Sequence, residues 1–284
     1  MAGLRRLLID QVLLVKRLTH RITFSIVRKN GASTVGDMKP EYLAEFRFYA
    51  ELNDFLSPLQ HKRTILYRFS GHPGIKDPIE AFGVPHPEVG LIIVNAESVG
   101  FDYQLQADDH VAVFPVFKSV DTEPLLKLRE KTAPKPRFVL DVNLGKLAKH
   151  MRMLGFDCLY RNDFKDKEVV NIAVTEHRIV LTRDRRLLFA KNISYGYWVR
   201  AVDVESQVVE VLCRFDLHGS IHAFVRCLVC NGELEPVVKA DILDRLEPKT
   251  RLYYEVFHHC VNCRRIYWEG SHMEDMRRCL AGFL

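Results

Sequence analysis

The chain has 284 residues, 48% hydrophobic and 27% charged, with a net charge of +5. No run approaches the roughly 18 apolar residues of a membrane helix, which excludes a helical span, and the length suits two or three modules of about 70 to 150 residues. Four of the seven cysteines fall in C-x-x-C pairs, and "LLIDQVLLV" is interrupted by Asp10 and Gln11 with no cleavage-site pattern, so the expected compartment is a reducing cytoplasm.

Residues 1 to 37 carry seven Lys or Arg against Asp10 and Asp37, and this +5 equals the charge of the whole chain. Such a leader, expected to extend to residue 43, fits a transit peptide or a nucleic-acid arm, unless Met38 is the first translated residue. Beyond it, "EFRFYAEL" (45–52) and "RTILYRF" (63–69) alternate in the period-2 manner of paired strands. "GIKDPIEAFG" (74–83) predicts a short helix, and "VGLIIVN" (89–95) and "HVAVFPVF" (110–117) predict further strands. This ββαββ order over residues 44–118 resembles the β-grasp of ubiquitin-like and sulfur-carrier proteins. The chain lacks a Gly-Gly end there and runs on through Phe117 and Lys118, which argues against thiocarboxylate chemistry. The module is expected either to dock a protein partner or only to pack.

Residues 119–136 mix charge with three prolines and predict a linker. From Arg137 onward the pattern alternates. "RFVLD" is a strand ending in Asp141, and "NLGKLAKHMRMLG" a helix with Leu144, Leu147, Ala148, Met151 and Leu154 on one face. "FDCLY" is a strand, "DKEVVNIAVTEH" a helix, and "RIVLTRD" a strand ending in Asp184. "RRLLFAKN", "YGYWVRA" and "DVESQVVEVLCRF" add a helical turn, a strand and a helix. Alternation of this kind predicts an α/β domain, residues 137–217, on a parallel sheet. Cys158, Cys213 and Cys279 read as buried thiols.

Functional crevices of open parallel sheets lie beyond the carboxyl ends of the strands, where Asp141 and Asp184 sit and where Asp166 begins a helix. Like charges about 4 Å apart repel by roughly 4 kcal/mol at an effective dielectric near 20. Three converging carboxylates therefore call for a hard cation, Mg²⁺ or Mn²⁺, which suits phosphodiester hydrolysis. Helix capping by each Asp is the competing explanation. Lys146, Lys149, His150, Arg152, Arg161, Arg183, Arg185 and Arg186 lie within a few residues and are expected to hold a nucleic-acid backbone, or to be a solvated face.

Cys227 and Cys230, then Cys260 and Cys263, form two knuckles with the spacing of a Cys₄ zinc ribbon, expected over residues 218–284. Four thiolates leave no coordination position for substrate, so this Zn²⁺ is structural. Aromatic and basic residues between and after the knuckles, among them Tyr253, Phe257, Arg264, Tyr267 and Trp268, are expected either to stack on unpaired bases or to pack against the neighbouring domain.

"FVLDVNLGKLAKHMRMLGFD" and "DKEVVNIAVTEHRIVLTRDRRLL", followed by "CLVCNGEL" and "CVNCRRIYWEGSHMEDM", resemble the PIN-like ribonuclease domain at the C-terminal end of the Mut-seven exonuclease. Upstream, "RFYAELNDFL" through "VAVFPVF" is similar to the ubiquitin-like module preceding that domain in many bacterial members. The resemblance implies a metal-dependent ribonuclease acting on RNA, with acidic positions at Asp141, Asp166 and Asp184, and Asp163 or Glu168 assisting Asp166. It also makes His272 a candidate catalytic or phosphate-facing, RNA-binding group. Arg185 and Arg186 stand where related enzymes often carry a fourth acid, so the resemblance leaves a complete two-metal site open. The competing functions are a non-catalytic RNA-binding adaptor and an accessory to sulfur transfer in tRNA modification.

Overall fold

The structure, a computed structural model, describes residues 40–116 and 136–268. Residues 1–39 of the basic leader, most of the expected linker, Cys279 and His272 lie outside the described residues, and the first strand begins at Glu41, inside the span expected for the leader. The chain divides into two compact units, Met1–Glu130 and Lys131–Leu284.

The first unit contains strands β1 (Glu41–Phe48), β2 (Ile65–Ser70), β3 (Val89–Val94), β4 (Glu97–Val99) and β5 (His110–Pro115), with helix α1 (Lys76–Ala81) between β2 and β3. The sheet order is β2-β1-β5-β3-β4. β1 runs antiparallel to β2 and parallel to β5, giving the mixed sheet of a β-grasp. Alternation along β1 buries Ala44, Phe46 and Phe48 on one face, where Phe82, just past α1, meets both phenylalanine rings at 5.4 and 5.5 Å.

Two expectations need correction here. The strand read at 45–52 starts earlier and stops at Phe48, and Ala50–Phe55 is a 3-10 turn. Ala50 takes a positive φ of 48°, and the buried Asn53 amide donates to the carbonyls of Phe48 and Ala50, removing them from sheet pairing. The order is also ββαβββ rather than ββαββ, because β4 returns from β3 through Asn95 and Ala96, both at positive φ. A turn of that hand normally announces itself with Asn-Gly, and alanine in the second place hides it.

The second unit opens with β6 (Arg137–Leu140), α2 (Gly145–Met153), β7 (Asp157–Leu159), α3 (Asp166–Thr175), β8 (Ile179–Thr182), β9 (Gly196–Trp198) and α4 (Val204–Phe215). All neighbouring strands are parallel, in the order β7-β6-β8-β9. Strand alternation splits the core into two layers. Phe138, Leu140 and Leu181 face Leu147 and Met151 of α2 and Val208 and Val211 of α4. Val139 and Val180 face Val169 and Ala173 of α3 and Leu187 and Leu188 of the turn after β8. Apolar runs on strands covered on both sides follow from that arrangement. Gly155 ends α2 at φ 96°, and a Cβ there would lie 2.0 Å from the carbonyl oxygen of His222. Glycine is required on both grounds.

The ribbon follows. β10 (Leu234–Val237), β11 (Phe257–Cys260) and β12 (Ile266–Trp268) form an antiparallel sheet. A 3-10 segment, Lys239–Arg245, and helix α5, Pro248–Tyr253, intervene between β10 and β11. Its small core is Ile242, Leu246 and Phe257, with Trp268 packed against them. Cys213, expected to be buried, is exposed, whereas Cys158 on β7 is buried as read. The apolar residues of α4 face inward at Val208, Val211 and Leu212, which leaves position 213 on the outer side.

Candidate active site and metal centre

β6 and β8 are adjacent and in parallel register, Leu140 against Leu181, so the residues just past their ends meet on one edge. Asp141 is buried and its carboxylate accepts from three donors: the N–H of Asn143 at 2.8 Å, the N–H of Arg183 at 2.8 Å and the hydroxyl of Thr182. The Thr182 oxygen in turn accepts the N–H of Asp184 at 2.8 Å, so one hydroxyl ties the Asp141 carboxylate to the Asp184 backbone. Thr182 is fully buried and was not singled out from the sequence; a hydroxyl between two strand-end acids is the signal that marks it.

Asp141 and Asp184 are both N-caps of 3-10 turns, Asp184 accepting the N–H of Arg186 at 2.8 Å. Asp166 differs. The residue preceding α3 is Lys165, whose N–H is taken by Glu168, and the exposed Asp166 carboxylate is hydrogen-bonded by none of the described residues. Asp163 is held by Arg161 through two hydrogen bonds of 2.8 and 2.9 Å, and that guanidinium keeps its carboxyl below the usual range. Asp203, at the N-cap of α4 after β9, is a further acid on the same edge that sequence reading passed over. Among the described residues only the four cysteines bring three or more potential metal ligands to a common point, so Asp141, Asp166 and Asp184 share an edge without all three meeting at one point.

The basic residues sort into different roles. Lys146 and Lys149 are exposed on α2. Arg183 turns back to the carbonyls of Arg200 and Ala201, and Arg185 lies over the Trp198 ring at 3.7 Å. Arg152 is no backbone-holding residue. It is 3% exposed and donates to the carbonyls of Cys158, Leu228, Val229 and Tyr160. Burial lowers its pKa, and the surrounding thiols and Asp157 work against that. Within the ribbon Arg264 is exposed, whereas Trp268 packs on the ribbon core rather than standing free.

The four sulfurs lie within 4.8 Å of one another, with Cys227–Cys263 at 3.6 Å and Cys230–Cys260 at 3.3 Å. Tetrahedral zinc with Zn–S bonds of about 2.3 Å sets sulfurs about 3.8 Å apart, so the tetrad fits that ion. Both knuckles have the same build. The first sulfur of each accepts the N–H of the second cysteine at 3.5 Å, and Asn231 and Arg264 follow at φ 68° and 61°. Tyr267 reaches across, its hydroxyl 3.1 Å from the Cys227 sulfur. Burial opposes ionisation of Cys227, but hydrogen bonds from Tyr267 and from the N–H groups of Cys230 and Val229 bring its pKa down to about 6. Burial pushes Cys230 up to about 12, with the neighbouring cysteines adding to the rise.

The first knuckle is bolted to the α/β layer. Arg152 grips the carbonyls of Leu228 and Val229, while the Asn231 side chain accepts the N–H of Cys158 at 2.9 Å and donates to Asp157 at 2.7 Å. Asp157 also receives Arg178 at 2.6 Å and lies 3.9 Å from Arg226. Burial raises the Asp157 pKa, but the hydrogen bonds from Arg178 and Asn231 and the charges of Arg178 and Arg226 outweigh it, holding the carboxyl below its ordinary value. β7 is an edge strand, and the knuckle covers the edge that would otherwise be open.

Fold and site together define an α/β protein with acids at its strand ends and a four-cysteine ribbon clasped to one sheet edge. The chain matches the family described as the Mut7-C RNAse domain over residues 136–280, preceded by a match to Mut7-C ubiquitin over residues 42–121. The first match alone spans just over half of the 284 residues, and the chain belongs to the Mut7-C RNAse domain family. A nuclease-type function accords with that membership. No curated protein matches the chain. The solution structure of the Haloferax volcanii HVO 2177 protein is similar at 20% identity, covering 31% of this chain and 97% of that one, with a TM-score of 0.24, too low to support a structural comparison. No helix among the described residues is long and apolar enough to cross a membrane.

Proposed function

We propose that the chain is a metal-dependent ribonuclease hydrolysing RNA phosphodiester bonds at the carboxyl edge of the parallel sheet. Asp141, Asp166 and Asp184 would hold Mg²⁺ or Mn²⁺, and Zn²⁺ in the ribbon would be structural. The setting of Asp141 carries the reading. A carboxylate offers about four lone-pair directions, and three donors occupy three of them, which fixes the group while leaving one direction for a cation. Asp184 is tied to the same Thr182 hydroxyl, and Asp166 stands on the same edge with its carboxylate unengaged. A bound divalent ion would offset the repulsion among these groups, polarise a phosphate oxygen and supply hydroxide near neutral pH.

The residues of the chain would then hold and orient. Lys146 and Arg186, exposed beside the edge, would take phosphate oxygens on either side of the scissile bond, and Arg264 would extend the contact along the ribbon. The proposed modules are residues 44–118 for the ubiquitin-like domain, 119–136 for the linker, 137–217 for the nuclease domain and 218–284 for the ribbon, in a cytoplasmic protein whose ubiquitin-like domain recruits a protein partner. One observation favours a second reading, a non-catalytic RNA-binding adaptor: both strand-end acids already serve as N-caps. Labelled single-stranded RNA incubated with Mn²⁺ and the wild type, Asp141→Asn or Asp184→Asn separates the two. Cutting by the wild type alone supports the nuclease; no cutting, or equal cutting by all three, leaves the adaptor.

A further inference from the structure

A groove of about 660 Å³ lies between α3 and the segment after β8. Its apolar wall is Val170 and Val174 on one side and Leu187, Phe189 and Ala190 on the other. Asp166, Lys167, Asn171, Arg186 and Asn192 complete the lining. Two of these belong to the acidic edge: Asp166 itself, and Arg186, whose N–H caps the Asp184 carboxylate at 2.8 Å. The groove thus begins where the proposed scissile phosphate would sit. Its volume falls within the roughly 300–1,000 Å³ of small-molecule sites, enough for a base with its ribose.

Chemistry narrows the occupant. An apolar slot with an aromatic ring suits a planar base, since stacking accepts every base through its π-face. Lys167 and Arg186 give the rim the charge that a flanking phosphate needs. The Asn171 and Asn192 side-chain amides, both exposed, are hydrogen-bonded by no described residue. Each offers a donor and an acceptor together, the pattern that reads a base edge bidentately. Resting on the ribonuclease reading, we infer that this groove is a base-binding subsite: it takes the unpaired nucleobase adjacent to the scissile phosphate of single-stranded RNA, and Asn171 and Asn192 set which base is preferred.

The test compares binding of a fluorescent 12-nucleotide RNA with binding of a 12-unit abasic ribose-phosphate strand, with full-length protein in Ca²⁺. The wild type is expected to bind the RNA about tenfold more tightly than the abasic strand, the scale of one stacked base. Val174→Trp, at a position 39% exposed, fills the slot and is expected to abolish that difference while leaving the abasic strand's affinity unchanged. The exposed pair Asn171→Ala with Asn192→Ala is expected to keep the difference but flatten preference among 12-mers of different base. An undiminished difference in Val174→Trp, or none in the wild type, overturns the subsite. Cleavage in Mn²⁺ is scored separately: a protein that shows the groove-dependent difference but cuts nothing keeps the subsite and loses the nuclease.

Discussion

Asn231 offers a direct measure of how firmly the ribbon is held. It is 6% exposed, sits at φ 68°, and makes both side-chain contacts to β7. Asn231→Ala strips the buried Cys158 N–H of its acceptor, which costs about 1–3 kcal/mol. It also places a Cβ-bearing residue with no compensating side-chain bond in the left-handed region, adding about 1 kcal/mol. The sum, about 2–4 kcal/mol, should appear in local opening of the first knuckle rather than in global unfolding. Zinc release to a chromophoric chelator should then accelerate about 30-fold to several-hundred-fold, each ~1.4 kcal/mol being tenfold. Asn231→Gly keeps the backbone relaxed and should lie between Ala and wild type. Wild-type release rates in both variants would refute the idea that this side chain couples zinc retention to the sheet edge.

Four further outcomes follow from the same contacts. Arg152→Met leaves the carbonyls of Leu228 and Val229 without their charged donor and should destabilise the second unit by about 3 kcal/mol in urea titration. Asp157 has its folded pKa depressed, so its contribution is fully present above the unfolded value of about 3.9 and is lost as pH falls through the folded one. Accordingly, the stability difference between wild type and Asp157→Asn should shrink below about pH 4, read from paired urea titrations. Gly155→Ala forces a methyl toward the His222 carbonyl and should lower stability by at least about 2 kcal/mol by thermal denaturation. Chelation of zinc should erase amide protection in β10, β11 and β12 while leaving β6 and β8 protected, because the ribbon core is only three buried side chains.

The strand ends of the parallel sheet are legible because short apolar runs, covered on both faces, stop at Asp141 and again at Asp184 and give way to helical turns. Both knuckles were legible because C-x-x-C spacing fixes ligand geometry locally. Arg152 is hidden for the opposite reason: its acceptors Leu228 and Val229 lie 76 and 77 residues away, beyond the reach of any local pattern. The apolar neighbours of Cys213 point to a buried thiol, whereas its place on α4 puts it on the outer side. Asp166 does not fit the capping explanation, since Lys165 occupies the cap position and Asp166 starts the helix itself. For Trp268 and Tyr267 the sequence leaves stacking and packing open; the structure packs Trp268 on the ribbon core and brings Tyr267 to a zinc ligand, a distinction that depends on the β11–β12 register.

The central claim is that a divalent cation binds where β6 and β8 end. Paramagnetic broadening of backbone amide signals during Mn²⁺ titration of zinc-loaded, isotope-labelled protein tests it without relying on turnover. The account predicts selective loss of the Asn143, Arg183, Asp184 and Arg186 signals at substoichiometric Mn²⁺, abolished by Asp141→Asn. Uniform broadening, or loss confined to amides away from that edge, would contradict it.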